Sequence, residues 1–274
     1  MKNVKITKDT ECCISIASSP GNFGSNFFNM AFEQMSLDYI YKPLRVEAKD
    51  LAGAIAGVRA FKIRGCGVSM PHKQKVLKYL DEINEVAKKI GAVNTIVNDN
   101  GRLIGYNTDY LGALAVLKEI PQIKNKSVLV IGAGGASRAI IMALKKINPR
   151  KITITNRNEA RGKAIAKEMA LLYYPYIKRG EIAADILINA TPVGMSADDK
   201  PIMDKDALKR YETVIDVVVS SKKTPLINMG EKLNLKIIPG FKISIHQALV
   251  QFKLYTGVEV PINIVKRAIR SYLK

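Results

Sequence analysis

The stretch KSVLVIGAGGASRAIIMALKK, residues 126–146, constrains the fold of this chain more than any other. SVLVI is an apolar run of strand length, GAGGAS follows at once, and the residues after it carry apolar side chains at helical spacing. Gly132, Gly134 and Ser137 occupy the three fixed positions of a G-x-G-x-x-G/A pattern. Glycine is needed where the turn is tight and where the main chain must approach a pyrophosphate, whose charge then rests on amides at a helix N-terminus. Ser137 is small enough to let the helix pack on the sheet. A second strand, KITIT at 151–155, completes the β-α-β context that makes such a motif meaningful. The cradle Gly132, Ala133, Gly134, Gly135, Ala136 and Ser137 is therefore predicted to hold a dinucleotide.

The second strand decides which one. In NAD-binding versions a carboxylate at its end takes the ribose 2′-hydroxyl. Here Asn156 and Arg157 stand at that place, with Arg161 one turn later. No acid repels a 2′-phosphate, and two guanidiniums offer it forked donors. The cofactor predicted is NADP.

Strands and helices alternate elsewhere too. ECCISIAS, YIYKPLRV and FKIRGCGVSM read as strands separated by the helical segments SNFFNMAFEQMSL and EAKDLAGAIAGVRA, a β-α-β-α-β order that argues for a parallel sheet. After Pro71, the spacing of Val76, Leu77, Leu80, Ile83, Ala87 and Ile90 predicts one helix ending at Gly91, with Lys73 in its first turn. AVNTIVN and RLIGYNTD flank Asn100-Gly101, a hairpin signal. A helix over about 108–119 then leads to the second unit, where ADILINATPVGM and TVIDVVV continue the alternation. The end of the chain, from HQALVQFKLYTG onward, reads as helical, and helices of this kind pack back on an earlier domain.

Composition narrows the function. With 274 residues and 47% hydrophobic content, the chain can bury one large or two medium cores. No run reaches the roughly 18 apolar residues of a membrane span, and the first residues lack the apolar centre of a signal peptide. A cytoplasmic location with no membrane partner is expected. Cys12, Cys13 and Cys66 are odd in number, lack C-x-x-C spacing and have only two histidines beside them, so neither a disulfide framework nor a metal site is expected. The net charge of +19 invites a nucleic-acid partner. The lysines are scattered, however, and Trp is absent, so a solvated basic surface is the simpler account and no nucleic-acid partner is expected. The same field suits a small anionic substrate or a phosphate-bearing cofactor.

Several short stretches, in order along nearly the whole chain, resemble those of shikimate dehydrogenases. They are MPHK at 70–73, GAVNT at 91–95, GYNTD at 105–109, GAGGAS, the Asn156-Arg157 pair, NATPVGM at 189–195, TPL at 224–226 and the final QA with FKLYTG. The resemblance implies an α/β enzyme of two domains. An N-terminal three-layer α/β substrate domain, 1–107 with 239–274, is completed by the C-terminal helices, and a Rossmann NADP-binding domain spans 108–238. Such an enzyme reduces 3-dehydroshikimate with NADPH, and a monomer or homodimer acting on a small cyclic hydroxy acid is expected.

The resemblance also assigns residues. Lys73 and Asp109 become the catalytic pair, which answers why a cation stands at a helix start where the dipole disfavours it. Negative charge grows on the carbonyl oxygen as hydride arrives, and a positioned proton donor neutralises it. Asn94, Asp109 and Gln247 match positions that hold ring hydroxyls, and Ser69 stands where threonine is usual. Thr191, Val217 and Lys242 fall on the cofactor side, Lys242 where glycine is usual. His72 and His246 are read as packing or surface residues.

The pattern fails mainly on the substrate side. A Ser-x-Ser pair normally meets the substrate carboxylate, and the matching residues are Asn22 and Gly24. Gly67 replaces an asparagine and Val219 a tyrosine. Losing two or three hydrogen bonds at ~0.5–1.5 kcal/mol each weakens binding ten- to several-hundred-fold. The chain is most similar to the shikimate dehydrogenase-like branch, where GNFG-type loops also occur. Quinate or another polyol acid as substrate, or a non-catalytic NADP-binding regulator, are the alternatives.

Overall fold

The structure is a computed structural model that describes residues 6–196, 198–220 and 222–273. The chain opens as the alternation predicts: β1 (Glu11–Ala17), α1 (Phe23–Gln34), β2 (Tyr39–Arg45), α2 (Leu51–Ala60) and β3 (Gly65–Val68). β1 pairs in parallel with both β2 and β3. Pro43 is tolerated inside β2 because that strand lies at the sheet edge, where a missing N–H costs no ladder bond.

The helix expected over 72–91 does not form as one piece. A 3-10 helix over Lys75–Tyr79 is followed by β4 (Glu82–Ile83) and α3 (Glu85–Ile90). The sheet interrupts it: Leu80 turns extended, Asp81 accepts the Leu103 amide at 2.7 Å, and β4 pairs with the strand bearing Ile104. Asn84 then caps α3 by accepting the Val86 amide. The apolar spacing survives because both short pieces still bury Val76, Ala87 and Ile90. Lys73 precedes the 3-10 helix, so the helix-dipole argument made for it does not apply.

β5 (Thr95–Asp99) and β6 (Arg102–Tyr106) form the expected hairpin, with Asn100 at φ 51° and Gly101 at φ 92°. The first sheet has the order β2-β1-β3-β5-β6-β4. After α4 (Thr108–Lys118) come β7 (Ser127–Ile131), α5 (Gly135–Ile147), β8 (Lys151–Thr155), α6 (Glu159–Glu168), β9 (Leu172–Tyr173), β10 (Ile186–Asn189), α7 (Lys205–Leu208), β11 (Thr213–Asp216), α8 (Pro225–Lys232) and β12 (Lys236–Pro239). These strands make a parallel sheet, β12-β11-β10-β7-β8-β9. The short edge strands β9 and β12 carry too little periodicity to be read from sequence. α9 (Gly240–Thr256) and α10 (Ile262–Leu273) end the chain.

The chain divides into two compact units, Met1–Thr108 with Gln247–Lys274, and Asp109–His246. Each is layered as strand alternation requires. In the first, Ile14, Ile16, Cys66 and Val68 pack on one side with α2, while Cys13, Tyr41 and Val97 pack on the other with Phe28 and Phe32 of α1 and Phe252 and Tyr255 of α9. In the second, Val128 and Val130 face α5, while Leu129 and Ile131 face Leu208 and Leu226. The central strands of this parallel sheet are apolar on both faces because helices cover both. Among the described residues no helix is long and apolar enough to cross a membrane.

Candidate active site

The predicted cradle has the geometry its glycines require. Gly132 sits at φ 121°, and a Cβ there would lie 2.7 Å from the Ala190 carbonyl oxygen, so no other residue fits without displacing main chain. The Gly132 amide donates to the Thr155 carbonyl, tying the end of β7 to the end of β8. Gly134 caps α5 without a side chain, and a Cβ on it would meet nothing within 4 Å. Open space therefore stands before the leading amides of α5, at Gly135 and Ala136, as a pyrophosphate needs. Ala133 and Ser137 are buried, and the Ser137 hydroxyl donates to the Gly132 carbonyl at 2.6 Å, bracing the turn.

At the end of β8, the Asn156 amide donates to the Asn158 carbonyl, and the Asn158 side chain accepts the Arg161 amide to cap α6. Arg157 and Arg161 are both exposed on this turn. The nearest acid, Glu159, is paired with Lys163 at 2.9 Å, so the corner stays basic. These residues fit a 2′-phosphate.

Asn189, at the end of β10, organises the loop that follows. Its oxygen accepts the Thr191 amide and hydroxyl at 3.1 and 2.7 Å, and its amide group donates to the Val193 carbonyl and to Asp216. Asp216 is wholly buried and also accepts the Val218 amide and the Thr224 hydroxyl. Burial pushes its pKa up, against the pull of those donors. Further along, Asp199 accepts the Gly194 and Ser196 amides, which hold its carboxyl below the ordinary value. Val217 donates to the Asn189 carbonyl, and a Cβ on Gly240 would lie 2.5 Å from the Val217 carbonyl. That contact seats the start of α9, where Lys242 is exposed. Sequence reasoning missed Asn189, Asp216 and Thr224 as the supports of Thr191 and Val217, although the stretches NATPVGM and TPL contain two of them.

In the first unit a layer of amides and hydroxyls is assembled from three distant segments. Asn94 donates to the Thr108 hydroxyl at 3.0 Å and to Gln247 Oε1 at 3.1 Å, and its own oxygen accepts the Thr95 hydroxyl and the Thr108 amide. Gln251, one turn after Gln247, donates to the Thr95 hydroxyl at 2.8 Å. All are buried except Gln247, which is half-buried. Asn94 and Gln247 were predicted and meet directly; Thr95, Thr108 and Gln251 were missed. The repeated Asn-Thr of GAVNT and GYNTD, with two glutamines four residues apart, was the available signal.

Lys73 stands beside this layer, its carbonyl accepting the Val93 amide at 2.8 Å, and its side chain is half-buried. Asp109 follows Thr108 directly, in the first turn of α4, where a carboxylate is favoured by the dipole. Asn22 and Ser69 are exposed, and among the described residues no hydrogen bond links their side chains to the layer. Asn22 starts α1 without capping it through its side chain. His72 is wholly buried with Nε2 2.9 Å from the Val46 carbonyl, a packing role. His246 lies 3.9 Å from Glu119, half exposed. Burial pushes the Cys66 thiol up to about 12, and that of Cys13 up as well, so neither is a nucleophile. Among the described residues no group of three or more His, Cys, Asp or Glu is arranged to hold a metal.

Comparison with known proteins gives these features a setting. A model of the shikimate dehydrogenase substrate binding domain matches residues 19–96, and one of shikimate / quinate 5-dehydrogenase matches residues 114–219. A shikimate dehydrogenase-like protein of Haemophilus influenzae is 40% identical over 256 residues, 92% of each chain. A shikimate dehydrogenase (NADP(+)) of Methanocaldococcus jannaschii is 39% identical over 260 residues, 90% of this chain and 92% of its own. The crystal structure of shikimate 5-dehydrogenase from Thermus thermophilus, in complex with NADP(H) and shikimate, superposes with a TM-score of 0.85 at 29% identity, covering 96% of this chain and all of the other. With the glycine cradle in one unit, the Asn94 layer in the other and matches along nearly the whole length, this chain belongs to the shikimate dehydrogenase family.

Proposed function

We propose that the protein is an NADP-dependent dehydrogenase interconverting 3-dehydroshikimate and shikimate, or a closely related cyclic hydroxy acid. The observation that carries this reading is the Asn94–Thr108–Gln247 layer, whose amides and hydroxyls both donate and accept, as a ring bearing several hydroxyls demands. NADP, when bound, supplies or takes the hydride. The unit with the cradle holds it: the amides of Gly132 to Ser137 meet the pyrophosphate, Arg157 and Arg161 the 2′-phosphate, and Thr191, Val217 and Lys242 flank the nicotinamide side. The other unit holds the ring acid through Asn94, Gln247, Ser69 and Asn22. Lys73 and Asp109 serve as the proton-transfer pair. Lys73 neutralises the oxygen on which charge grows, and Asp109 accepts a hydrogen bond from a ring hydroxyl.

A second reading, quinate or another polyol acid as substrate, is favoured by one observation: Asn22 and Gly24 stand at the start of α1, and the Ser25 hydroxyl of that turn donates to the Asn22 carbonyl at 3.0 Å. One experiment separates these readings. Purified protein is given NADP with shikimate, quinate or a simpler hydroxy acid, and reduced nicotinamide is followed by absorbance. Shikimate turnover is expected, falling by roughly 10² or more in Lys73→Ala while NADP affinity stays unchanged. Turnover with quinate alone selects the second reading, and NADP binding without any turnover overturns both.

A further inference from the structure

Ser15 lies on β1, between β2 and β3 in the first sheet, yet it is only half-buried, so its face of the sheet opens there. Its row across the sheet runs Pro43, Ser15, Gly67, Thr95, and Thr95 is part of the Asn94 layer. A Cβ on Gly67 would stand 3.1 Å from the Tyr41 hydroxyl and 3.2 Å from Ser15 Cβ. A Cβ on Gly24, in the first turn of α1, would stand 3.2 Å from that same hydroxyl. One phenol thus crowds the points where side chains at 24 and 67 would begin, and its hydroxyl and Ser15 both border the Gly67 position.

Tyr41 is held firmly in this position. Its ring stacks on Phe28 at 4.5 Å and 8°, and Asn29 brackets its main chain, accepting its amide at 2.8 Å and donating to its carbonyl at 2.9 Å. Burial pushes its pKa up, so it stays protonated and able to donate. If the phenol donates to Ser15 Oγ, the serine proton is left to face the opening. A hydroxyl donor on a preorganised support suits a carboxylate oxygen.

We infer that Ser15 and Tyr41 form a specificity-determining pair, in which the phenol donates to Ser15 Oγ and positions it while Ser15 donates to the carboxylate of the ring acid. The inference rests on the proposed function, since it takes the Asn94 layer to face the ring hydroxyls. It bears on Gly24 and Gly67 together, since one tyrosine hydroxyl crowds both positions.

The test uses Ser15→Ala and Tyr41→Phe, which preserve the strand and the stack on Phe28. KM is measured for shikimate and for its methyl ester at saturating NADP, with ligand-induced melting shifts in parallel. The native protein is expected to prefer the acid to the ester. Ser15→Ala raises KM for the acid about tenfold, as expected for a lost hydrogen bond to a charged group, erases that preference, and leaves kcat and NADP affinity within about twofold. Tyr41→Phe moves KM in the same direction, and the double variant is no worse than Ser15→Ala, because the two hydroxyls act as one unit. An unchanged acid-to-ester preference in both variants overturns the inference and leaves the dehydrogenase reading intact. If the native protein neither turns over nor is stabilised by any acid, the dehydrogenase reading fails and the inference falls with it.

Discussion

The glycine turn at 132–137 and the polar layer around Asn94 do their positioning in opposite ways. The turn is one unbroken stretch whose main chain makes the site, so its residues are dictated by backbone angle and open space. The layer gathers side chains from residues 94–95, 108 and 247–251, and no one of those segments forms it alone. A site made of backbone tolerates almost no change at its glycines and is indifferent to much around them. A site made of side chains can be retuned one group at a time.

The largest effect that sharpens this contrast belongs to the turn. Gly132→Ala adds strain at positive φ, on the order of 1–3 kcal/mol, and drives a Cβ toward the Ala190 carbonyl. NADPH affinity, read by fluorescence titration, should fall on the order of 10²-fold. Affinity within twofold of the native value would show that the turn is softer than its geometry. Next come the arginines: Arg157→Ala or Arg161→Ala should each raise KM for NADP about tenfold, the loss of a hydrogen bond to a charged group, with KM for NAD unmoved. Equal losses for both cofactors would place the arginines away from the 2′-phosphate.

The smallest effect is one of pH. In the second unit, the Ser127 hydroxyl and amide hold Asp185 below its ordinary value of 3.8. A carboxylate with a depressed folded value contributes stability above its unfolded value and loses it as the pH falls through the folded one. Asp185→Asn should therefore cost about 1 kcal/mol at neutral pH, and in urea melts the difference should begin to shrink as the pH falls past 3.8 and vanish only below the depressed folded value. The Asn94 layer contains only amides and hydroxyls. Gln251→Leu should cost the same at both pH values, and a pH-dependent cost would break the comparison.

Legibility followed the same division. The dinucleotide turn, the arginine corner and the Asn100-Gly101 hairpin were readable because each is specified by neighbours in the chain. Of the polar layer, Asn94 and Gln247 were found through resemblance, whereas Thr95, Thr108 and Gln251 were not, since the repeated Asn-Thr and the paired glutamines do not by themselves say which of them meet. The long helix expected after Pro71 failed for a related reason: helical spacing from Val76 to Ile90 is satisfied equally by two short pieces, and pairing with β6 chose between them.

By itself, then, the sequence determined the α/β alternation, the phosphate turn and the preference for a 2′-phosphate, because dihedral limits and local charge act between residues close along the chain. Only the tertiary structure decided that Asn189 and Asp216 would support the Thr191 loop, and that one tyrosine would stand over both Gly24 and Gly67. Those outcomes depend on which distant surfaces pack together, and a side chain carries no local mark of the partner that burial will bring to it.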